Sequence, residues 1–318
     1  MIDAIALAGG AALAGGTALA GGPALGGAAP AGAALSGAAL PGAAPGLAAP
    51  GQHTSAGKYT VQEIIDLIMR EGALTPIEGT VDTMKAGRSD QAVTGIVTTM
   101  FATIKVIGEA VERNANFIIA HEPLYYNHRD DAAWASNTAV AKEKKALIEK
   151  HGIAIWRFHD YCHALKPDGI TYGLVKKADW LSYYKAGDNV LTIPPLTLSE
   201  IVEHLKSSLG IAHVRVIGNP DQKCSRVGLL PGAWGGEKQI TLADTGHPDV
   251  LIVGEVSEWE TAEYTRDGRL LNHDMGLIIL GHAVSEEPGM EWVAEWLKPK
   301  LPGIDITHVP SGNPFMWM

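Results

Sequence analysis

The sequence predicts an α/β protein from residue 58 onward, preceded by a low-complexity arm. Short apolar runs rich in β-branched residues alternate with segments of helical spacing, and the alternation continues through both halves of the chain. Strands that alternate with helices are typical of parallel βαβ units. The composition changes at Lys58, the first charged residue after Asp3. We therefore divide the chain into an arm (1–57), a first α/β lobe (58–188) and a second α/β lobe (189–318).

The overall composition argues against several classes of partner. The 318 residues are 46% hydrophobic and carry a net charge of -10, so the chain can form two domains with cores of their own. It has no Lys/Arg-rich run, and binding to nucleic acid or to an anionic membrane therefore has no electrostatic support. Cys162 and Cys224 form neither a CxxC motif nor a disulfide framework. We expect a small-molecule substrate, which the sequence does not identify.

The arm consists almost entirely of Ala, Gly, Leu and Pro, with a loose six-residue repeat at 11–16 and 17–22. Three interpretations stay open. An export leader fits the small residues but lacks a basic start, and a membrane span is poor because Gly-Gly and Pro recur. An extended arm fits best with Gly-Gly pairs that break a helix, and its backbone would then need partners on neighbouring subunits. We expect a homo-oligomer, with a filament as a hypothesis, and an exported or cell-surface location over a cytoplasmic one.

The first lobe opens with a helix whose start is marked in the sequence. Thr60 and Glu63 form a capping box, apolar residues follow at helical spacing, and Gly72 ends the helix. The segment Val81–Gly87 has no decisive signal and is predicted as a loop. The elements that follow are predicted as strand Val93–Met100, a helix through Arg113, strand Phe117–Ala120, helix Ala139–Lys150 and strand Ile153–Phe158.

The second lobe shows the same alternation of predicted strands and helices. Thr197 and Glu200 form another capping box, and the helix that they open ends at Gly210. The turn Gly232–Gly236 lacks the spacing of known phosphate loops, so phosphate binding has weak support there. We predict strands at His213–Ile217, Arg226–Leu230, Asp249–Glu255, Gly276–Leu280 and Ile304–Val309, helices at Glu258–Arg266 and Glu291–Lys298, and a docked tail at Pro310–Met318.

Metal-type side chains follow three of the predicted strands. Sites in α/β proteins form at the carboxyl ends of strands. The pair His159/His163 and the pair His282/Glu286 are each four residues apart, which places both members on one face of a helical turn. The candidate metal ligands are His121, Glu122, His159, Asp160, His163, His282 and Glu286.

Imidazole and carboxylate together suit zinc, iron or manganese. So many ligands exceed what one tetrahedral zinc needs, and we predict two divalent ions. Each cluster alone has a simpler explanation, because an HxxxH pair is more often a surface pair or a buried, hydrogen-bonded histidine. Three clusters that each follow a strand favour a site over that explanation.

These residues also resemble a known family. The segment Gly152–His159, His-Glu-Pro at 121–123 and Gly-His-Ala-Val-Ser-Glu at 281–286 resemble the NIF-three-like dinuclear-metal family, also labelled GTP cyclohydrolase I type 2. The resemblance covers roughly residues 60–318. It implies a two-lobed fold with mixed sheets, two metal ions between the lobes and a toroidal hexamer.

Two positions depart from the family pattern. Glu122 stands where the resemblance implies the second histidine of a His-His-Pro motif, and His163 stands where it implies an aspartate. The two exchanges conserve the total ligand chemistry, as a compensated swap would.

The resemblance implies metal-activated hydrolysis, with a nucleotide or another heterocycle as substrate. Glu286 or Glu258 would transfer the proton, and Arg157 would either contact an anionic substrate group or, more simply, have a structural role. Two alternatives without catalysis stay open. One is an assembly protein that forms rings or filaments through its arm, and the other is a protein for metal storage or delivery.

Overall fold

The computed structural model describes residues 58–318, and the predictions for the arm (1–57) fall outside these described residues. The oligomeric state and the location in the cell also stay predictions. Within 58–318 the predicted α/β class is confirmed, since helices alternate with strands that form two mixed sheets. No helix of this part of the chain is long and apolar enough to cross a membrane.

Residues 58–318 form two five-stranded sheets. The strands are β1 (Met84–Ala86), β2 (Gly95–Thr99), β3 (Phe117–Ala120), β4 (Ala154–Arg157), β5 (Val190–Thr197), β6 (Arg215–Ile217), β7 (Lys223–Leu230), β8 (Val250–Val253), β9 (Gly276–Ile279) and β10 (Asp305–His308). The first sheet has the order β1-β4-β3-β2-β10 and the second has the order β5-β7-β8-β9-β6.

The two sheets share one design. In each, neighbouring strands are parallel through the middle of the sheet, and an antiparallel strand closes one edge of the first sheet and both edges of the second. The parallel strands β2, β3, β4, β8 and β9 are buried along their whole length. Continuous apolar runs such as Phe117–Ala120 are expected of parallel strands covered on both faces.

Helices cover these sheets. They are α1 (Val61–Glu71), α2 (Ile104–Glu112), α3 (Ala133–Ser136), α4 (Ala139–Lys150), α5 (Asp160–Ala164), α6 (Gly169–Lys177), α7 (Leu198–Leu209), α8 (Gly236–Gly246), α9 (Glu263–Leu270) and α10 (His282–Leu297). Both predicted capping boxes are confirmed, at Thr60/Glu63 and at Thr197/Glu200, and Gly210 ends α7 in the left-handed conformation.

Helix α10 links the two sheets. It starts directly after β9 of the second sheet, and its later residues Met290, Val293 and Leu297 are buried in the core of the first sheet. Thr98 of β2 donates a hydrogen bond to the backbone oxygen of Met290 at 2.8 Å. The first turn of α10, which carries the candidate ligand His282, is therefore fixed relative to both sheets.

Helices α3, α6 and α8 were not predicted from the sequence, and the predictions for four other elements were wrong or missing. Val81–Gly87 contains β1, which is too short to show a periodic pattern. Strand β5 was missed because Pro194 and Pro195 interrupt it, which an edge strand tolerates. The terminal helix α10 begins well before Glu291, and Pro288 within it concealed its first half. The helix predicted at Glu258–Arg266 is a π-helical turn over Glu258–Ala262 that continues into α9.

The closing strand comes from the far end of the described chain. β10 pairs in parallel with β2, with Ile306 beside Ile96. The division into 58–188 and 189–318 stays a prediction, and this strand, although it lies in the second range, belongs to the first sheet.

Candidate metal centre

The candidate ligands gather where strands of both sheets end. β3 leads into His121 and Glu122, β4 leads towards His159, and β9 leads towards His282. Side chains from all three clusters border one cavity of about 1200 Å³. Residues far apart in the chain thus form one site at the carboxyl ends of strands, where α/β folds place their ligands.

His121 is fully buried and has one nitrogen without a partner. Its Nδ1 lies 3.0 Å from the backbone oxygen of Phe158, so Nδ1 carries the proton and Nε2 has a free lone pair. This Nε2 is the one buried side-chain nitrogen or oxygen in residues 58–318 that lacks a hydrogen-bond partner. Burial, with the nearby charges of His163 and His159, lowers the pKa of His121 well below its usual value. The ring is therefore neutral, which is the form that binds metals.

Two further imidazoles lie beside His121, and each is held by a carboxylate. Nδ1 of His159 is 2.9 Å from Asp160, and Nδ1 of His163 is 2.9 Å from Asp168. These contacts leave Nε2 as the available nitrogen on both rings. One nitrogen from each of His121, His159 and His163 lies within 4.8 Å of the other two, a spacing that one ion can bridge.

On the other side of the centre, carboxylates surround His282. Its Nε2 lies 3.1 Å from Glu122 and 3.0 Å from Glu286, and its Nδ1 lies 3.6 Å from Glu255. Burial lowers the pKa of His282, but the hydrogen bonds to Glu122, Glu255 and Glu286 outweigh it and raise the pKa to about 12. Three carboxylates lie around one imidazole, and a positive charge between them would offset their mutual repulsion. In this protonated form the imidazolium supplies that charge.

These donors fit a divalent metal centre. Oxygens of Glu122 and Glu286 lie within 4.8 Å of each other and of a His121 nitrogen. A buried free lone pair and buried carboxylates are costly unless they are paired or coordinate a cation. Imidazole nitrogen with carboxylate oxygen is the donor set of zinc, iron and manganese sites.

Arg157 has a structural position. Its side chain is fully buried, and its guanidinium donates to Glu122 at 3.0 Å and to the backbone oxygens of His121 and His128. This arrangement holds one oxygen of Glu122 and leaves the other, Oε1, facing His282 and His159. Of the two interpretations of Arg157, these contacts favour the structural role, because all of them lie inside the protein.

Three predicted site residues lie outside the two groups of close donors, and of these His282 still contacts Glu122 and Glu286. One oxygen of Asp160 holds His159, and the other accepts hydrogen bonds from Thr80 and from the backbone of Val81. Glu258 lies on the surface, where its side chain is 77% exposed and pairs with Arg215 at 2.9 Å. The structure thus brings together His121, Glu122, His159, His163, His282 and Glu286, and leaves Asp160 beside them and Glu258 apart.

Sequence reasoning missed Asp82, which positions the start of α5. Its carboxylate accepts backbone hydrogen bonds from His159, Asp160 and Tyr161 at 2.7–3.1 Å. Burial raises the pKa of Asp82 to about 6 although these hydrogen bonds lower it. No local pattern marks Asp82, since the residues that it holds are more than seventy positions away.

Asp168 was missed although its sequence carried a signal. It is the N-cap of α6, where its side chain accepts from the backbone of Ile170 and Thr171. An aspartate just before a helical run is a recognisable cap. Its second role, as the partner of His163, follows only from the fold. Burial lowers the pKa of His163, but Asp168 outweighs this effect and raises it.

The Gly-rich turn approaches the centre closely. Gly232 has a φ of +79°, and a β-carbon at this position would lie 2.0 Å from an oxygen of Glu286. The backbone nitrogen of Gly232 also donates to Ser285 at 2.9 Å. The glycine therefore leaves space for the side chain of Glu286. This role differs from the phosphate binding that was considered for the turn on the basis of its sequence.

Aromatic and basic side chains form the remaining cavity wall. The ring of Trp234 lies 6.4 Å from that of His163, and the ammonium group of Lys238 lies 4.7 Å from the centre of the Trp234 ring. Phe101 and Tyr126 also line the cavity. The site thus combines a polar, ligand-rich floor with an aromatic and cationic rim.

Comparison with known proteins gives consistent matches. A family model described as Duf34/NIF3 (NGG1p interacting factor 3) matches residues 80–314. A relative from Neisseria meningitidis serogroup B, named GTP cyclohydrolase 1 type 2 homolog, is 28% identical over 225 residues, which cover 69% of this chain and 84% of the relative. A relative of the same name from Clostridium perfringens is 24% identical over 238 residues, which cover 72% of this chain and 86% of the relative.

A solved structure has the same fold. It is a crystal structure of a Bacillus cereus protein described as related to NIF3, with a TM-score of 0.65 at 18% identity. The match covers 82% of this chain and all of the other. At this level of identity the likeness concerns the fold alone.

Proposed function

The chain belongs to the Duf34/NIF3 family, and on that premise we propose that it is a metal-dependent hydrolase with two divalent ions in the centre described above. Six residues would hold the ions: His121, Glu122, His159, His163, His282 and Glu286. The observation that carries this proposal is the free, buried Nε2 of His121 beside the oxygens of Glu122 and Glu286. Divalent ions at this place would supply Lewis-acid activation of water and of a polar bond in the substrate.

The protein's own residues prepare the site for this chemistry. The backbone oxygen of Phe158 and the carboxylates of Asp160 and Asp168 bond Nδ1 of the three imidazoles, which leaves Nε2 of each as the nitrogen that can bind an ion. Arg157 holds Glu122 in place from behind. Such positioning reduces the reorganisation that catalysis requires.

Glu286 is the proposed group for proton transfer. It is buried, it borders the cavity, and it lies 3.0 Å from His282, which connects it to Glu255 at the half-exposed edge. Glu258, the other sequence candidate, does not reach the cavity. Of the two candidates, Glu286 is therefore the one placed to exchange a proton with a substrate in the cavity.

The cavity supports a planar, anionic small molecule as substrate. Its volume of about 1200 Å³ accommodates a nucleotide-sized ligand. Trp234, Tyr126 and Phe101 offer aromatic surfaces, and Lys105 and Lys238 line the same cavity. The name of the curated relatives, GTP cyclohydrolase 1 type 2 homolog, fits the same class. We propose a nucleotide or a related heterocycle.

The test is a turnover screen on the full chain. The protein is stripped with a chelator, reloaded with zinc, iron or manganese, and assayed against nucleotides, heterocycles and phosphoesters. We expect turnover that depends on metal and is lost in Glu286→Gln, and no loss in the matched control Glu143→Gln, which lies on the exposed face of α4. Turnover that survives complete metal removal, or no turnover with any of these substrates, would count against the proposal.

A further inference from the structure

We propose that the two metal positions differ in chemistry and select different ions. One position is formed by imidazole nitrogens and takes a late first-row ion such as Zn²⁺. The other is rich in carboxylate oxygen and takes a harder ion such as Mn²⁺. The inference rests on the proposed dinuclear centre, and it depends on Glu122 and His163 of this chain.

The nitrogen position consists of His121, His159 and His163. One ring nitrogen of each lies within 4.8 Å of one from the other two, and all three Nδ1 atoms are hydrogen-bonded to fixed oxygens. The rings also lie close together, with centres 4.7–5.2 Å apart. The three imidazoles therefore form one cluster, and an ion bound there would have nitrogen ligands only.

His121 can serve only one of the two ions. A neutral imidazole with a protonated Nδ1 has a single lone pair, on Nε2, and the Nδ1 of His121 is committed to Phe158. His121 belongs to both groups of close donors, the one with His159 and His163 and the one with Glu122 and Glu286. When His121 completes the nitrogen position, the second ion must be held without it.

The oxygen-rich position then consists of Glu122, Glu286 and His282. Oε1 of Glu122 and Oε2 of Glu286 lie 3.1 Å and 3.0 Å from Nε2 of His282. Oε2 of Glu122 is held by Arg157 and so does not join. Two carboxylates and one imidazole give this position a formal charge of -2, whereas three imidazoles are neutral.

These donor sets favour different metals. Imidazole suits zinc, copper, nickel and iron, whereas carboxylate suits magnesium and manganese. Zn²⁺ binds either kind of position more tightly than Mn²⁺. The difference in metal preference between the two positions can therefore be observed only when zinc is limiting. The first equivalent of Zn²⁺ enters the nitrogen position and leaves the oxygen-rich position to Mn²⁺.

Electron paramagnetic resonance tests this arrangement without reference to turnover. The full chain is stripped of metal, given one equivalent of Zn²⁺, then excess Mn²⁺, and freed of unbound ions. We expect about one Mn²⁺ per chain with the six-line spectrum of an isolated ion. Two alike positions would instead yield a substantial fraction of Mn²⁺ pairs with a spin-coupled spectrum, which would overturn the inference while leaving the dinuclear function intact. A protein that retains neither ion would overturn both.

Variants assign the two positions. His163→Asp should weaken retention of the first Zn²⁺ by about tenfold or more while Mn²⁺ binding persists, and His282→Ala should do the reverse. His273→Asp is the matched control, because His273 lies before the amino end of β9, away from the ligands, and is exposed. If His163→Asp and His282→Ala each weaken both ions equally, the two positions are not distinct and the inference fails.

Discussion

Nε2 of His121 lies 3.6 Å from Oε2 of Glu286, in the fully buried part of the site. The distance is too long for a good hydrogen bond, as expected of two atoms that would bind neighbouring cations rather than each other. The pair thus leaves a lone pair and a carboxylate oxygen facing each other without a shared proton. This relationship is the reason to regard the site as a metal centre rather than a structural hydrogen-bond network.

Arg157 should be essential for stability. Arg157→Met would leave the buried carboxylate of Glu122 without its cation, and losing one partner of a buried pair costs about 3–5 kcal/mol. Arg215→Met is the control, because its pair with Glu258 is exposed and is worth about 0–1 kcal/mol. Urea unfolding of both variants measures the difference. Equal losses would show that the Arg157 pair has no special role.

Asp82 should control metal affinity from outside the ligand set. Asp82→Asn places an amide donor where the carboxylate accepts three backbone N–H groups, and this disturbs His159 and the start of α5. We expect metal affinity to fall by about 10–100-fold, as for other residues that orient ligands. Asp188→Asn, on an exposed loop, serves as control. Competition with a chromogenic chelator gives the affinities, and a wild-type value for Asp82→Asn would contradict this role.

His282 should stay protonated in the metal-free protein. Its pKa is raised to about 12, against about 6.5 in an unfolded chain. Because the folded pKa is the higher one, the contribution of His282 to stability is fully present below about pH 6.5 and is lost as the pH rises through about 12. Imidazole NMR of the metal-free protein from about pH 6 to 10 should show no titration of His282. The signal is assigned with His282→Gln, and a midpoint near 6.5 would refute the expectation.

Gly232 should be required for metal binding, and Gly235 should not, because only Gly232 lies against Glu286. Both have a φ near +78°, but only at Gly232 would a β-carbon collide with Glu286. Each alanine variant bears backbone strain of about 1–3 kcal/mol, whereas Gly232→Ala also displaces a ligand. We expect Gly232→Ala to lose metal affinity by about tenfold or more, and Gly235→Ala to keep it. Chelator competition on both proteins tests this, and similar affinities would argue against the close approach.

The ligand clusters were predictable because strand ends are visible in a sequence. Phe117–Ala120 is a continuous apolar run followed by His121 and Glu122, and the structure has a strand with those bounds. Spacing on helical turns gave the other candidate ligands. The family resemblance was confirmed by the family model that matches residues 80–314.

The supporting residues were not predictable, because what they do depends on distant parts of the chain. Asp82 acts on residues that only the fold brings near, and the exposure of Glu258 depends on where a π-helical turn places it. Arg157 follows a buried strand, as a substrate-binding residue would, but its guanidinium turns inward to Glu122. The direction in which a side chain points depends on the tertiary structure, so a pattern of residue types does not predict it.

The pairing of β10 with β2 has a consequence for the order of folding. Ile306 and Ile96 are neighbours in one sheet, although the whole second sheet lies between them in the chain. The first sheet therefore cannot be completed during synthesis until all strands of the second have been made. Contacts of such long separation slow folding, and until they form, the edge of β2 is open to pairing with other chains. We expect chaperone dependence and aggregation during expression to be concentrated in this interval.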